Sequence, residues 1–333
     1  MEHRILLRAS GWVAFALSVV AWSAGGGLAA EPVRSARSAS KPSLKEALAA
    51  LKTPPPWFER TAVSWDTARP WKEGRIEIRR LLALGTQAGN RQAVKLTWLY
   101  RQKKDIGNGH EYPMYLFLAG EIAWATPAYE EYLRAHPERG THAYLDLASC
   151  YRHFGEYGKA AETLQRAMAN VPTDAWRVSC EANVHDGWGD LLAEKGDKKQ
   201  AREHYAKAVA LYPQSKQPYG RHLLARRAAK VQAKLDMLEM ASLRPGDLAA
   251  GRYAGTSLGY TGPLSVTATV RSGRIADLQV QHKEKIHQNA PTIIPRRIIQ
   301  AQSLKVDAIT GATVTSQAIV DATFQALKKA RRK

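Results

Sequence analysis

Cysteine is nearly absent from this chain, which has only Cys150 and Cys180 among its 333 residues. These two isolated cysteines exclude a Cys-x-x-Cys pair for zinc or thiol exchange and a Cys-x-x-Cys-His site for haem attachment. Both fall on or beside neighbouring predicted helices, so a disulfide is geometrically possible, although we favour two buried, inert thiols. Any redox function therefore requires another cofactor.

Long apolar runs are also missing, with one exception near the N-terminus. Residues 11–30 carry no charge, follow a basic start and end in the small residues Ala29 and Ala30. We predict a signal peptide over residues 1–30, cleaved near Ala29 or Ala30. An uncleaved anchor is the alternative, because this run is about long enough to cross a bilayer. We expect a periplasmic protein in a bacterial cell, with membrane contact only through an uncleaved signal segment.

Acidic residues are few, 30 against 49 Lys and Arg, which gives a formal net charge of +19. In a cytosolic protein this excess would favour nucleic-acid binding, since Lys and Arg contact phosphates. Export removes that expectation, so acidic partner proteins, anionic lipid head groups or solubility explain the charge better. The basic run at residues 328–333 also complements the dipole of a C-terminal helix. We predict no nucleic-acid partner.

Changes in composition divide the chain into segments. Residues 31–56 are rich in Ser, Ala, Arg, Lys and Pro and close with three prolines, which favour an extended, stiff linker. Residues 57–243 have a helical pattern. Residues 244–333 begin with the turn Pro245-Gly246 and form the last domain.

A 34-residue pattern occurs twice in the helical part, and the second unit begins 41 residues after the first. In residues 141–174 the repeated positions hold Tyr144, Leu147, Ala148, Tyr151, Ala160, Leu164, Ala167 and Pro172. In residues 182–215 they hold His185, Trp188, Gly189, Leu192, Ala201, Tyr205, Ala208 and Pro213, and only the histidine is unusual. This pattern resembles the tetratricopeptide repeat, in which small residues let two antiparallel helices approach closely. The resemblance implies a short all-α solenoid.

Less regular helices are predicted on both sides of these repeats. Two weaker helical pairs lie upstream, at residues 76–84 with 92–100 and 114–124 with 128–136. A longer helix at residues 219–240 is expected to cap the stack with a polar outer face. The residues expected to point into the concave groove are His142, Arg152, Asp186 and Asp190. Their mixed charge defines no particular ligand.

The hydrophobic period changes from 3.6 to 2 in the last domain. Residues 264–270 alternate apolar with hydroxyl residues, residues 271–274 form a turn, and residues 275–281 continue as a second strand. A short helix is predicted from Pro295 to Ile299 and a final helix over residues 316–331. The fold class is therefore multidomain, an all-α solenoid followed by a small α+β domain.

One motif in this domain points to a cofactor. Its sequence is Asp307-Ala308-Ile309-Thr310-Gly311-Ala312-Thr313, followed by Val314-Thr315-Ser316. Three elements precede the motif in order: a glycine-rich start at residues 251–264, the predicted hairpin and residues 294–303. Together these elements resemble the FMN-binding domain family, whose motif carries FMN on its last threonine through a phosphoester bond. The resemblance implies covalent FMN on Thr313, with Asp307, Thr310, Gly311, Ala312, Thr315 and Ser316 around it.

The resemblance also implies how the cofactor is attached. A threonine hydroxyl is a poor nucleophile, and the family uses a separate exported flavin transferase that takes FMN from FAD with a metal ion in its own active site. Thr313 stands just before the predicted final helix, where the helix dipole favours a phosphodiester. In the alternative interpretation, Thr313, Thr315 and Ser316 only cap that helix.

The flavin ring would lie near the loop Gly259-Tyr260-Thr261-Gly262, whose glycines allow close approach. Tyr260 could stack on the ring or be a surface aromatic. His282 and His287 could place positive charge near the ring, although we favour solvated loop residues. We predict no catalytic residue and no metal site, because no nucleophile elbow or metal-binding spacing is present.

Three functions fit these features. The first is an exported electron carrier, in which the repeats dock a membrane or periplasmic redox partner. The second is a tetratricopeptide adaptor with an unmodified or sensory FMN-binding domain. The third is an electron-relay subunit of a periplasmic flavin reductase. We favour the carrier, because nothing resembling a substrate pocket is visible in the sequence.

Overall fold

The structure is a computed structural model that describes residues 42–84, 86–107, 109–138, 140–238, 246–284, 287–306, 308–309 and 312–331. The predicted signal segment, the start of the linker and the boundary at residue 243 lie outside these described residues. So do three residues of the motif, Asp307, Thr310 and Gly311. Residues 41–333 belong to one structural unit. No helix in the described ranges is both long enough and apolar enough for a bilayer.

The first part of this unit is helical. Its helices are α1 (Leu44–Ala50), α2 (Trp71–Ala83), α3 (Gln87–Gln102), α4 (Glu111–Leu118), α5 (Ile122–Ala135), α6 (Thr141–His153), α7 (Tyr157–Ala169), α8 (Arg177–Lys195), α9 (Lys198–Leu211) and α10 (Leu224–Leu238). Consecutive helices from α2 to α9 pack as pairs. The predicted all-α solenoid is confirmed, and two helical pairs lie upstream of the repeats. In the second pair the predicted turn was misplaced, because α4 ends at Leu118 and α5 begins at Ile122, inside the predicted helix 114–124.

The repeat positions pack as their spacing predicts. Ala160 and Ala167 of α7 are fully buried, together with Tyr144 of α6. In the second repeat, a Cβ on Gly189 would stand 2.3 Å from the ring of Tyr205, because α8 and α9 touch at this point. Small residues at these positions therefore allow the close helix pairs.

The linker prediction was wrong for residues 44–50, which form α1. Ser43 begins this helix with a capping box: its hydroxyl accepts from the Glu46 N–H, and Glu46 accepts from the Ser43 N–H at 2.8 Å. Leu44 is buried and α1 packs against α5. A cap and one buried leucine are sufficient for a single helix of two turns.

Helix α10 does not end the stack with a polar face, contrary to expectation. It begins at Leu224, after a short 3₁₀ turn, and packs against α9 on one side. It also contacts the C-terminal domain, through both its final helix and its first strand. Val231 is buried, and Lys234 is nearly so. Helix α10 therefore joins the two domains.

The C-terminal domain is the predicted small α+β fold. Its elements are β1 (Gly251–Leu258), β2 (Pro263–Arg271), β3 (Arg274–Gln281), α11 (Ala290–Ala301) and α12 (Thr313–Ala330). The strands form an antiparallel sheet in the order β1-β2-β3, which confirms the hairpin. Helix α12 packs across β1 and β2. A Cβ on Gly255 would stand 2.1 Å from the Ala322 carbonyl oxygen, so only glycine permits this approach.

Both predicted helix starts in this domain were too late. Helix α11 begins at Ala290 and contains Pro295, which was expected to open it. Pro291 lies in the first turn, where backbone N–H groups have no acceptor within the helix, so proline loses no hydrogen bond there. The final helix begins at Thr313 instead of Ser316.

Candidate functional site

The predicted attachment position is the first residue of α12. The backbone of Ala312 serves as the N-cap, and no side chain in the described ranges caps the helix. The first N–H groups of α12 therefore lie at the positive end of its dipole. The positive end of α12 coincides with the position implied to carry a phosphodiester.

The hydroxyls of Thr315 and Ser316 are used elsewhere. The Ser316 hydroxyl accepts a hydrogen bond from the N–H of Ile309 at 3.0 Å. The Thr315 hydroxyl donates to Glu284 Oε2 at 2.7 Å. Both residues are buried, and neither side chain caps α12. Capping as their sole role is therefore wrong for these two residues.

Glu284 is the residue of this site that the sequence analysis missed. Its buried carboxylate accepts hydrogen bonds from the N–H groups of Tyr260 at 2.9 Å, Thr261 at 2.8 Å and Gly262 at 3.3 Å. With the Thr315 hydroxyl, these donors fasten the glycine-rich loop to the first turn of α12. The sequence offered one signal, a single acid in a basic segment.

The loop owes its shape to glycine. A Cβ on Gly259 would stand 2.5 Å from a Glu284 oxygen, so a larger residue would displace the carboxylate. Gly259 N–H donates to the Gly262 carbonyl at 2.8 Å and closes the turn. The Tyr260 side chain is 60% exposed, which leaves its ring available for stacking. Stacking on a flavin stays a prediction.

The same loop is tied to the helical domain. The Arg226 guanidinium on α10 donates to the Tyr260 carbonyl at 3.1 Å. It also lies 3.4 Å from the Thr261 carbonyl. The glycine-rich loop therefore connects the first turn of α12 with the last helix of the solenoid.

His282 and His287 act on the backbone of the segment that carries Glu284. The Nδ1 of His282 accepts from the Glu284 N–H at 3.2 Å, and the Nδ1 of His287 accepts from the Asn289 N–H at 3.2 Å. The two rings meet edge to face at 5.2 Å. Each imidazole is half-buried and hydrogen-bonded to backbone.

The groove of the repeats contains a buried ionic cluster. Lys234 Nζ of α10 lies 2.6 Å from Asp186 and 2.8 Å from Asp190. Arg152 lies 3.3 Å from Asp190, which also accepts from the Tyr205 hydroxyl at 2.8 Å. Burial opposes ionisation, but Lys234 and Arg152 outweigh it and hold the pKa of Asp190 at about 2. Arg152, Asp186 and Asp190, three of the four predicted groove residues, therefore form this cluster with Lys234.

Two cavities separate the groove from the start of α12. The smaller, about 440 Å³, is lined by His142, Asp186 and Lys230 on the solenoid and by Val314 on α12. The larger, about 900 Å³, is lined on the α12 side by Ser316, Gln317 and Val320. Both are lined by Ser149, Arg152 and Asp190, so they lie side by side. We call this pair of cavities the groove cleft.

Neither cysteine belongs to this cleft. Cys150 of α6 and Cys180 of α8 are free and buried. Burial raises the pKa of both thiols, which keeps them protonated and inert. Among the described residues, no group of three or more His, Cys, Asp or Glu could hold a metal ion.

Family comparisons match both parts of the chain. The FMN-binding domain family matches residues 259–328, and tetratricopeptide repeat families match residues 114–175 and 182–215. A curated relative is an NADH:acrylate oxidoreductase of Vibrio harveyi, 36% identical over 81 residues. This match covers 23% of the chain and 8% of the relative, so the chain spans a small part of that protein. Among solved structures, "MamA RS-1 ArsTM double mutant" matches with a TM-score of 0.33 and 16% identity, over 50% of this chain and 93% of that one.

Proposed function

Because this chain joins an FMN-binding domain to tetratricopeptide repeats, we propose that it is an exported electron-transfer flavoprotein with FMN esterified to Thr313. One observation carries the proposal. Within the matched domain, α12 begins at Thr313, so the implied attachment position lies at the positive end of the helix dipole. That terminus favours a phosphodiester, since the positive end of a helix dipole attracts negative charge.

The residues around this terminus fit the cofactor. The turn formed by residues 259–262 brings backbone close to α12 through Glu284 and Thr315. The groove cleft beside Val314 and Ser316 has the volume of a small-molecule site. Bound FMN would supply reversible acceptance of electrons, and the protein would supply position, shielding and electrostatics.

Redox function is supported by the curated relative. Its name describes an oxidoreductase, and the similarity of 36% covers 81 residues. The relative is a much longer protein, so its substrate is no guide to the acceptor of this chain. An electron carrier needs no substrate site of its own, and this role suits a chain for which we assign no catalytic residue.

Maturation requires a second enzyme. We propose that a flavin transferase directs the Thr313 oxygen to the FMN-side phosphorus of FAD, forming the phosphoester and releasing AMP. A base of the transferase accepts the hydroxyl proton, and the metal ion of the transferase stabilises the leaving phosphate of AMP. Ala312 in the motif has a small side chain that leaves room beside the acceptor.

Export and partner docking complete the proposal. The N-terminal pattern of residues 1–30 supports passage to the periplasm. The repeats support docking of a redox partner, since tetratricopeptide units commonly bind proteins. The net charge of +19 favours a partner with an acidic surface.

Mass spectrometry of the exported protein tests the proposal. Co-expression with a flavin transferase should add the mass of FMN less one water to a peptide that contains Thr313. The variant Thr313→Val should lose this mass and the flavin fluorescence on a denaturing gel. The variant Thr256→Val, at an exposed position on β1, should keep both. Flavin that dissociates on denaturation, or covalent flavin on another peptide, would overturn the assignment of Thr313.

A further inference from the structure

The groove of a tetratricopeptide domain ordinarily faces solvent or a peptide, but here it faces α12 of the same chain. In the N-terminal half of α12, Ser316, Gln317 and Val320 line the larger cavity. Val314 lines the smaller one. The attachment position therefore stands at the edge of the groove cleft.

The size of the cleft suits a flavin ring. Ligand sites for small molecules have volumes of roughly 300 to 1,000 Å³. The two cavities measure about 440 and 900 Å³ and share a wall. The cleft can therefore hold a tricyclic ring and its ribityl chain together.

The walls of the cleft combine flat apolar surfaces with hydrogen-bond donors. Phe154 and Tyr205 line the larger cavity. Arg227 and Lys230 of α10 line the smaller cavity beside Val314. In the described ranges, neither of these cations lies within 4.0 Å of a carboxylate, whereas Arg152 and Lys234 are both paired. Asp146, Asp186 and Asp190 line the same cavity. Lys234 is paired with Asp186 and Asp190, and burial raises the pKa of Asp146 to about 6. Arg227 and Lys230 are therefore the cations of this wall that suit a ligand that gains negative charge on reduction.

We propose that the groove cleft receives the isoalloxazine ring of the FMN on Thr313, and that Arg227 and Lys230 donate to its polar edge. This inference rests on the proposed function, and it gives the repeats a second role. They form the outer wall of the flavin site in addition to binding a partner. The glycine-rich loop then holds the base of the site through Glu284, and the solenoid encloses the ring.

Positive charge near the ring has a direct consequence for its redox behaviour. Reduction of a flavin adds electrons, and the anionic reduced form is stabilised by a nearby cation. Arg227 and Lys230 should therefore raise the reduction potential of the bound flavin. Enclosure by the groove should also keep small solutes from the ring.

The first test measures access of iodide to the flavin in the loaded, full-length protein. Ser149 lies on the wall between the two cavities, so Ser149→Phe places a phenyl ring in the cleft and obstructs it. We expect a several-fold rise in the iodide quenching constant of flavin fluorescence. The control is Gln165→Phe on the exposed face of α7, which should behave as the unaltered protein does. Equal quenching in all three proteins, at the level of free FMN, would overturn the inference.

The second test does not require that the cleft be obstructed. Lys230→Met removes a cation that has no ion pair among the described residues, so the fold should survive. The reduction potential of the flavin should shift to a lower value, while Lys199→Met, exposed on α9, should leave it unchanged. An unchanged potential in Lys230→Met contradicts the proposal. Loss of covalent flavin from the unaltered protein would instead contradict the proposed function, so the two failures are distinct.

Discussion

Glu284 and Thr315 are 31 residues apart in sequence, and the Thr315 hydroxyl donates a 2.7 Å hydrogen bond to the Glu284 carboxylate. This bond connects the segment after β3 to the first turn of α12. The same carboxylate accepts from the backbone of residues 260–262. One buried acid therefore sets the position of the loop relative to the attachment site.

Glu284→Gln should destabilise the C-terminal domain. The amide nitrogen of Gln would face backbone N–H groups that need an acceptor, and an unsatisfied buried donor costs about 1 to 3 kcal/mol. Urea unfolding followed by circular dichroism measures this loss. Glu203→Gln, exposed on α9, is the matched control and should change the free energy of unfolding little. Equal stability of the two variants would show that Glu284 does not hold the loop.

Two glycines in the solenoid should respond to alanine with opposite signs. Gly189→Ala puts a methyl group 2.3 Å from the Tyr205 ring, and overpacking of this kind costs about 1 to 3 kcal/mol. A Cβ on Gly158 of α7 would meet nothing within 4 Å. Gly158→Ala should therefore stabilise the protein by about 0.5 to 1 kcal/mol, since alanine favours helix. Thermal unfolding of both variants checks the two signs together.

Lys234→Met should be among the most destabilising changes in the groove. It leaves Asp186 and Asp190 buried together without their shared cation. Removing one partner of a buried ion pair costs about 3 to 5 kcal/mol. Lys207→Met, at an exposed position of α9, controls for loss of charge. If added salt lowered the free energy of unfolding of the unaltered protein as much as Lys234→Met does, the ion pairs of the cluster would be screened like exposed ones.

The stability of the protein should depend on the protonation of Lys230. Burial and the charge of Lys234 lower the pKa of Lys230 from 10.5 to about 8. Between these values the unfolded chain binds more protons than the folded one, so the free energy of unfolding rises with pH. Below about pH 8, Lys230 is protonated in both the folded and the unfolded chain, so its contribution to the free energy of unfolding no longer changes with pH.

The comparison with Lys230→Met isolates this effect, because all other groups titrate in both proteins. The melting temperature of the unaltered protein minus that of the variant should increase from about pH 7 to about pH 10. A difference that stays constant across this range would mean that Lys230 keeps its proton in the fold.

Much of the fold could be predicted because local patterns determine it. The hairpin of residues 264–281 follows from apolar alternation, and the repeats follow from small residues at fixed offsets. Helix ends were less certain. Pro291 and Pro295 are both compatible with a first helical turn, so sequence did not choose between them. The capping box of Ser43 and Glu46 is a local signal for α1 that the sequence analysis missed, whereas the contact of Leu44 with α5 depends on tertiary packing.

The sequence by itself determined the two domains, most of their helices and strands and the motif that ends at Thr313, since these depend on neighbouring residues and on short periods. Tertiary structure alone decided that Glu284 binds the loop and Thr315, and that the repeat groove faces α12. Such contacts join segments far apart in the chain. They arise from how separate elements and the two domains pack against each other, which the spacing of residues within one element does not specify.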